Sequence, residues 1–167
     1  IDLNPKFVAE VYSDFGIALV AKGDLDGAIK AYEKAIELNP QLAQAHLGLG
    51  FALGAKGDQA GAVKAYGKAI ELNPKYADAY HNLGAALGAK GDLDGAMKWL
   101  QAAQRAAPTD ADIMNDLADL HMQIYSRDTA QPDPLRQALT LWNSSMAIRP
   151  DQPELREMVR IYSKRLY

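Results

Sequence analysis

The chain has 167 residues, of which 49% are hydrophobic and 23% charged, a balance typical of soluble globular proteins. Its formal net charge is −3 with basic and acidic residues interspersed, so we expect no nucleic-acid binding, and no apolar run reaches the roughly 20 residues of a membrane span. Cysteine is absent, which excludes disulfides and thiolate chemistry and leaves the compartment open between the cytoplasm, which we favour, and the periplasm.

A regular repeat dominates the sequence. The tetrapeptide Ala-Lys-Gly-Asp occurs at a constant interval, at 21–24, 55–58 and 89–92, and the dipeptide Asn-Pro occurs at 4–5, 39–40 and 73–74. We predict three regular units at 7–40, 41–74 and 75–108, preceded at 1–6 by the tail of a truncated repeat. Constant spacing of this kind indicates a solenoid, in which each unit buries its apolar face against its neighbours.

Each unit is predicted to contain two helices. Large residues of the first helix recur at spacings of three and four, beginning at Tyr12. Gly23 suits the left-handed position that ends this helix, and Asp24 suits the N-cap of the second. Small residues, such as Gly16 and Ala28, are expected where the two helices cross. The second helix should stop at the proline that closes each unit.

These residues resemble the tetratricopeptide repeat family. The family pattern is an aromatic, Leu-Gly, a second large residue, then Ala, an aromatic, Ala and Pro, and residues 9–40, 43–74 and 77–108 match it almost completely and in register. The resemblance implies an all-α fold, namely a right-handed superhelical α-solenoid. It also implies that the first helix of each repeat forms the concave wall, and that the chain binds a protein or peptide there.

A fourth, atypical unit is predicted at 109–150. The interval from His121 to Ala138 exceeds the equivalent interval from Leu53 to Ala62 by eight positions, which indicates an insertion between its two helices near 126–134. Two prolines and a polar composition favour a loop there. The loop is either a simple surface insertion or a flap over the groove.

The last segment, 151–167, is predicted to be a capping helix. Leu155, Met158 and Tyr162 share one helical stripe, with charged residues around it. Such a helix covers the apolar end of the last repeat. The first unit has no comparable capping segment in this sequence, so we expect its first helix to be exposed and open to homo-oligomer formation if no further repeat precedes Pro5.

Helical geometry places one side of each first helix on the concave wall. The middle of that wall is small and apolar, which suits an amphipathic helix or an apolar peptide. Phe51 is its largest projection and our candidate anchor, although some of these residues could instead pack between repeats. The candidate partner-binding residues are Ser13, Ile17, Leu47, Phe51, His81, Asn82, Ala85, Asn115 and Asp119.

The wall has no ladder of lysine and arginine. Family members that grip the C-terminal carboxylate of chaperones use such a basic clamp, because an anionic terminus requires cationic donors. We therefore expect that activity to be absent here.

The sequence contains no arrangement typical of an active site. His46, His81 and His121 occupy three different repeat positions and lack the spacing of a metal-binding pair, so we predict no metal, no cofactor and no catalytic residue. The Gly48-Leu49-Gly50 segment lies within a predicted helix with no strand before it, which excludes a phosphate loop.

We therefore predict a protein–protein interaction scaffold rather than an enzyme. One alternative is the substrate-recruiting arm of a larger enzyme such as a glycosyltransferase, which the sequence before residue 1 would reveal. Another is a self-assembling module, which light scattering at varied concentration would reveal.

Overall fold

The computed structural model describes residues 4–166, which form nine α-helices. None of these helices combines the length and hydropathy that a membrane-spanning segment needs. The bounds are α1 Pro5–Ala21, α2 Leu25–Leu38, α3 Ala43–Ala55, α4 Gln59–Leu72, α5 Ala77–Ala89, α6 Leu93–Ala106, α7 Ala111–Arg127, α8 Asp133–Ile148 and α9 Pro153–Ser163.

The helices pair into four hairpins, α1–α2, α3–α4, α5–α6 and α7–α8, and the hairpins stack into an all-α solenoid. The first helix of each hairpin contacts the first helix of the next hairpin: α1 contacts α3, α3 contacts α5, and α5 contacts α7. Within residues 4–166, no second helix approaches the next second helix as closely. The first helices are therefore the inner, more crowded layer of the curve, and their free side is its concave wall.

The turn inside each regular hairpin follows from its Gly-Asp pair. Gly23, Gly57 and Gly91 have φ values of 79°, 91° and 83°, in the left-handed region that glycine adopts without strain. In the first hairpin the Asp24 amide donates to the Leu19 carbonyl at 2.9 Å, which closes a Schellman motif. The Asp24 carboxylate then caps α2 by accepting from the Gly27 amide at 2.9 Å. The predicted end and start signals are confirmed.

The N-terminal boundary differs from the predicted one. Asn4 caps α1 and Pro5 is its first residue, so Pro5 and Lys6 belong to the first helix and not to the tail of another repeat. Proline is well tolerated at this position because its missing amide would have no partner within the helix. Residues 1–3 of the predicted tail lie outside the described residues.

The eight extra residues of the fourth hairpin lie mostly in helices. Compared with α5 and α6, four of them lengthen α7, two lengthen α8, and two lengthen the connection, which spans only 128–132. The predicted loop over 126–134 is therefore too long at both ends, since Ser126 and Arg127 complete α7 while Asp133 and Pro134 begin α8. Pro134 does not break α8 because it lies in the first turn.

The last hairpin is covered by α9. Its apolar stripe packs on the buried residues Leu135, Leu139 and Trp142 of α8. The rings of Tyr162 and Trp142 lie 6.4 Å apart between centroids. Of the segment 151–167, residues 153–163 are helical and Tyr167 lies outside the described residues.

Close approach of the helices depends on glycine. A β-carbon on Gly16 would lie 2.6 Å from the ring of Tyr32, so this ring fills the space beside Gly16. The same ring also occupies the space beside Gly48 of α3. Tyr32 is thus buried between a glycine of its own repeat and a glycine of the next.

Candidate functional site

Three adjoining depressions run along the concave wall, with volumes of about 360, 280 and 220 Å³. The first and second share Phe51 and Asn82, and the second and third share Ala85 and Ala89, so together they form one groove. The first is lined by Ile17, Val20, Tyr32, Gln44, Leu47, Gly48, Phe51, Tyr76, Asp78, His81 and Asn82.

One column of the repeat lies on the groove surface in all four units. Its members are Ile17, Phe51, Ala85 and Asp119, each one repeat after the last, and all four are exposed. Ile17 and Phe51 each expose 48% of their surface although both are large and apolar. These two side chains are open to a partner, because their position on the first helix faces away from the second helix of the hairpin.

A second column lies between neighbouring first helices. Its members are Ser13, Leu47, His81 and Asn115. Ser13 is only 1% exposed, so its prediction as a partner-binding residue is wrong. Leu47 packs against a cluster that includes Tyr66 and Leu83, yet it also lines the first depression.

The last two members of this column are tied to the next repeat by hydrogen bonds. The His81 imidazole Nε2 lies 2.7 Å from Oδ2 of Asp116 on α7, while one edge of the ring still lines the groove. The Asn115 amide donates to Oε1 of Gln152 at 2.9 Å, just before α9. Asn115 therefore holds the end of the solenoid together and contributes no surface to the three depressions.

Asn82 and Asp116 belong to a third column, which also contains Gly48. Asn82 lies at the boundary of the first two depressions, as its prediction as a groove residue requires. Asp116, which lines the third depression, was missed by the sequence analysis. Its position one repeat after Asn82 was the available signal.

The groove changes from apolar to acidic along its length. The first depression is built mainly from apolar side chains and includes one carboxylate, Asp78, whereas the third contains two, Asp116 and Asp119. Partial burial raises the pKa of the Asp119 carboxyl, and the nearby Asp116 carboxylate raises it further. The hydrogen bond to Asp116 raises the pKa of His81 against the opposing effect of burial. No lysine or arginine lines any of the three depressions.

Nothing in this groove resembles a metal site. Within residues 4–166 there is no group of three or more histidine, aspartate or glutamate side chains placed to share a cation. The groove can therefore be described by its shape, its apolar surface and its carboxylates.

Several solved structures have the same fold. A MamA protein superposes with a TM-score of 0.79 at 24% identity, over 94% of this chain and 81% of that one. PilF of Pseudomonas aeruginosa gives a TM-score of 0.83 at 19% identity, over 98% of this chain and 71% of that one. The first TPR of Spaghetti (RPAP3), bound to the HSP90 peptide SRMEEVD, gives a TM-score of 0.70 at 24% identity, over 71% of this chain and 94% of that one. No curated protein sequence matches the chain.

Family models identify the repeats themselves. The model described as "TPR repeat" matches residues 16–57 and 52–91, and the model described as "Tetratricopeptide repeat" matches residues 77–110. Together they span 16–110, more than half of the 167 residues, and they coincide with the regular hairpins. The chain therefore belongs to the tetratricopeptide repeat family.

Proposed function

We propose that this chain is a protein-interaction module that binds a peptide, or a helix of a partner protein, in its concave groove. The observation that supports this best is the pair Ile17 and Phe51, which both project into or beside a depression of about 360 Å³ while 48% exposed. Covering a large apolar side chain completely is worth about 1.5–3 kcal/mol. About half of the Ile17 side chain and half of the Phe51 side chain is already covered. Burying the rest of both would therefore contribute roughly the same free energy to partner binding as burying one whole side chain.

The test uses peptides selected from a random display library against the immobilised chain. Phe51→Ala should weaken the selected peptides at least about tenfold, as truncation of an interface anchor usually does. The circular dichroism spectrum and the melting temperature should remain close to those of the wild type. A matched control is Ile148→Ala on α8, because Ile148 is a large aliphatic residue with 45% exposure that lines none of the three depressions.

Two results would count against this function. If Phe51→Ala lowers the melting temperature cooperatively, Phe51 is part of the core and not an anchor. If it leaves binding unchanged while Ile148→Ala weakens it, the partner binds elsewhere on the molecule.

A second candidate, self-assembly, is favoured by the outer face of α1. Val11 and Phe15 are 50% and 55% exposed. In α7 the equivalent residues, Ile113 and Leu117, are buried against the preceding hairpin. We propose that this face binds the same face of a second copy.

Sedimentation at increasing concentration tests self-assembly. The wild type should form dimers, and Val11→Glu should remain monomeric because it places a charge in the apolar contact. A wild-type chain that stays monomeric at the highest concentration would eliminate this candidate.

A further inference from the structure

We infer that the segment bound in the groove is basic as well as amphipathic. Its apolar side chains contact Ile17, Leu47 and Phe51, and a lysine or arginine of the segment lies near Asp116 and Asp119. This inference rests on the proposed function, because it assigns a partner chemistry to the same groove. It concerns the whole length of the groove and not the apolar depression alone.

The first line of support is the order of residues along one column. Ile17, Phe51, Ala85 and Asp119 follow one another at identical positions of successive repeats, so the surface passes from large apolar, through small, to acidic. A partner that lies along the groove therefore meets apolar surface at one end and carboxylates at the other. The small Ala85 between them leaves the floor open, which lets one segment reach both ends.

The second line of support is the absence of lysine and arginine among the residues that line the groove. Asp119 takes part in no salt bridge within the described part of the chain, and the partner of Asp116 is the imidazole of His81. Burial is the first cause of the raised pKa of Asp119 and the charge of Asp116 is the second, while the nearby Trp142 indole opposes them. A cation from the partner would relieve this repulsion, and the excess negative potential would also accelerate the encounter with a basic segment.

The spacing of the two ends gives the inference a measurable form. Packed neighbouring helices are about 8–10 Å apart, so Phe51 and Asp119, two first helices apart, are separated by roughly 16–20 Å. An extended peptide spans this distance with about five or six residues, at about 3.3 Å each. A helix needs about eleven to thirteen residues, at about 1.5 Å each. The basic residue should therefore follow or precede the apolar anchor at one of these spacings.

An acidic peptide should be excluded by the same surface. The peptide SRMEEVD, which is bound in the RPAP3 structure, carries two glutamates and an aspartate. In this groove its carboxylates would approach Asp116 and Asp119 with no lysine or arginine among the lining residues to receive them. SRMEEVD is therefore a suitable negative probe.

The experiment begins with the random peptide library described above. Enriched sequences should combine apolar residues with lysine or arginine at the predicted spacing. One enriched peptide is then synthesised together with a twin in which every lysine and arginine is replaced by glutamate. The wild type should bind the basic peptide, with an affinity that falls as salt is raised, and should bind neither the acidic twin nor SRMEEVD.

Variants of the chain locate the effect. Asp119→Asn should weaken the basic peptide several-fold, and Asp116→Asn with Asp119→Asn should weaken it at least about tenfold at low salt. The single variant guards against a folding defect, because Asp116 also holds His81, whereas Asp119 takes part in no salt bridge within residues 4–166. The matched control is Glu33→Gln on α2, which removes a charge from a residue that lines none of the three depressions and should change nothing.

The outcomes separate this inference from the proposed function. If enriched peptides depend on Phe51 but carry no excess of basic residues, or if the acidic twin binds equally well, the inference is overturned while the proposed function stands. If the basic peptide binds the double variant Asp116→Asn with Asp119→Asn as tightly as the wild type, the inference is overturned as well. If no enriched peptide depends on Phe51, the proposed function fails and this inference fails with it.

Discussion

His81 and Asp116 join α5 to α7 beside the groove, with Nε2 of the imidazole 2.7 Å from Oδ2 of the carboxylate. The hydrogen bond to Asp116 raises the pKa of His81, and the carboxylates of Asp110 and Asp112 add to the effect, while burial opposes it. This contact is therefore sensitive to pH in the range where histidine titrates.

The sign of the pH dependence follows from the raised pKa. The stabilisation is fully present below the unfolded value of about 6.5 and is lost as the pH rises through the higher folded pKa. The difference in unfolding free energy between the wild type and His81→Gln should therefore be largest near pH 5 and fall above pH 7. Because both side chains are partly exposed, we expect no more than about 1 kcal/mol, measured by urea denaturation.

His121 provides the internal comparison. Burial lowers its pKa, so its ring signals in an NMR titration should change at lower pH than those of His81. Coincident titration of the two rings would show that the contact with Asp116 does not hold His81 in solution.

Gly48→Ala should destabilise the chain by about 1–3 kcal/mol, because the added methyl group would overlap the ring of Tyr32. The control is Gly67→Ala in α4, where no atom lies within 4 Å of the new β-carbon. That substitution should stabilise the chain by about 0.5–1 kcal/mol through helix propensity alone. Thermal or urea denaturation of both variants measures the contrast, and equal effects of the two would refute the packing of Tyr32.

Ser13→Ala should leave stability unchanged or raise it by up to about 1 kcal/mol. The Ser13 hydroxyl is buried and has no hydrogen-bond partner among the described residues, so alanine removes a group that is costly to bury. Peptide affinity should not change, since Ser13 is not on the groove surface. A marked loss of stability would mean that the hydroxyl has a partner in solution.

Gln152→Ala should loosen α9. The Gln152 side chain accepts from Asn115 at 2.9 Å, donates to the Ser145 hydroxyl at 3.1 Å and donates to the Arg149 carbonyl at 2.7 Å. Its loss leaves the partly buried Asn115 amide without this partner, which costs about 1–3 kcal/mol. Hydrogen exchange should accelerate in α9 and little elsewhere, whereas Asp151→Ala, at an exposed neighbouring position, should have no such effect.

Much of the solenoid could be predicted because its signals are local. The Gly23-Asp24 pair encodes both a left-handed backbone and a cap, and three copies at one spacing leave little choice of architecture. Helical periodicity also placed Ile17 and Phe51 on the concave side, since that depends only on their angle around the helix axis.

The errors arose where the answer depends on a neighbouring element. Ser13 shares a helix side with Ile17, but whether it reaches the groove depends on how closely α3 approaches α1. Pro132 and Pro134 favour a loop in the sequence, yet α8 begins at Asp133 because proline is tolerated in the first turn of a helix.

Tyr32 has a further consequence for how the array unfolds. In a repeat protein, stability divides into a term for each unit and a coupling term between neighbours. Tyr32 belongs to both, because its ring contacts a glycine within its own hairpin and another in the next one. In the second hairpin Tyr66 meets Gly50, but the position equivalent to Gly48 is occupied by Asn82. Coupling is therefore uneven along the array: the first two units should open together as one cooperative block, and hydrogen exchange should report similar protection for α1 and α3.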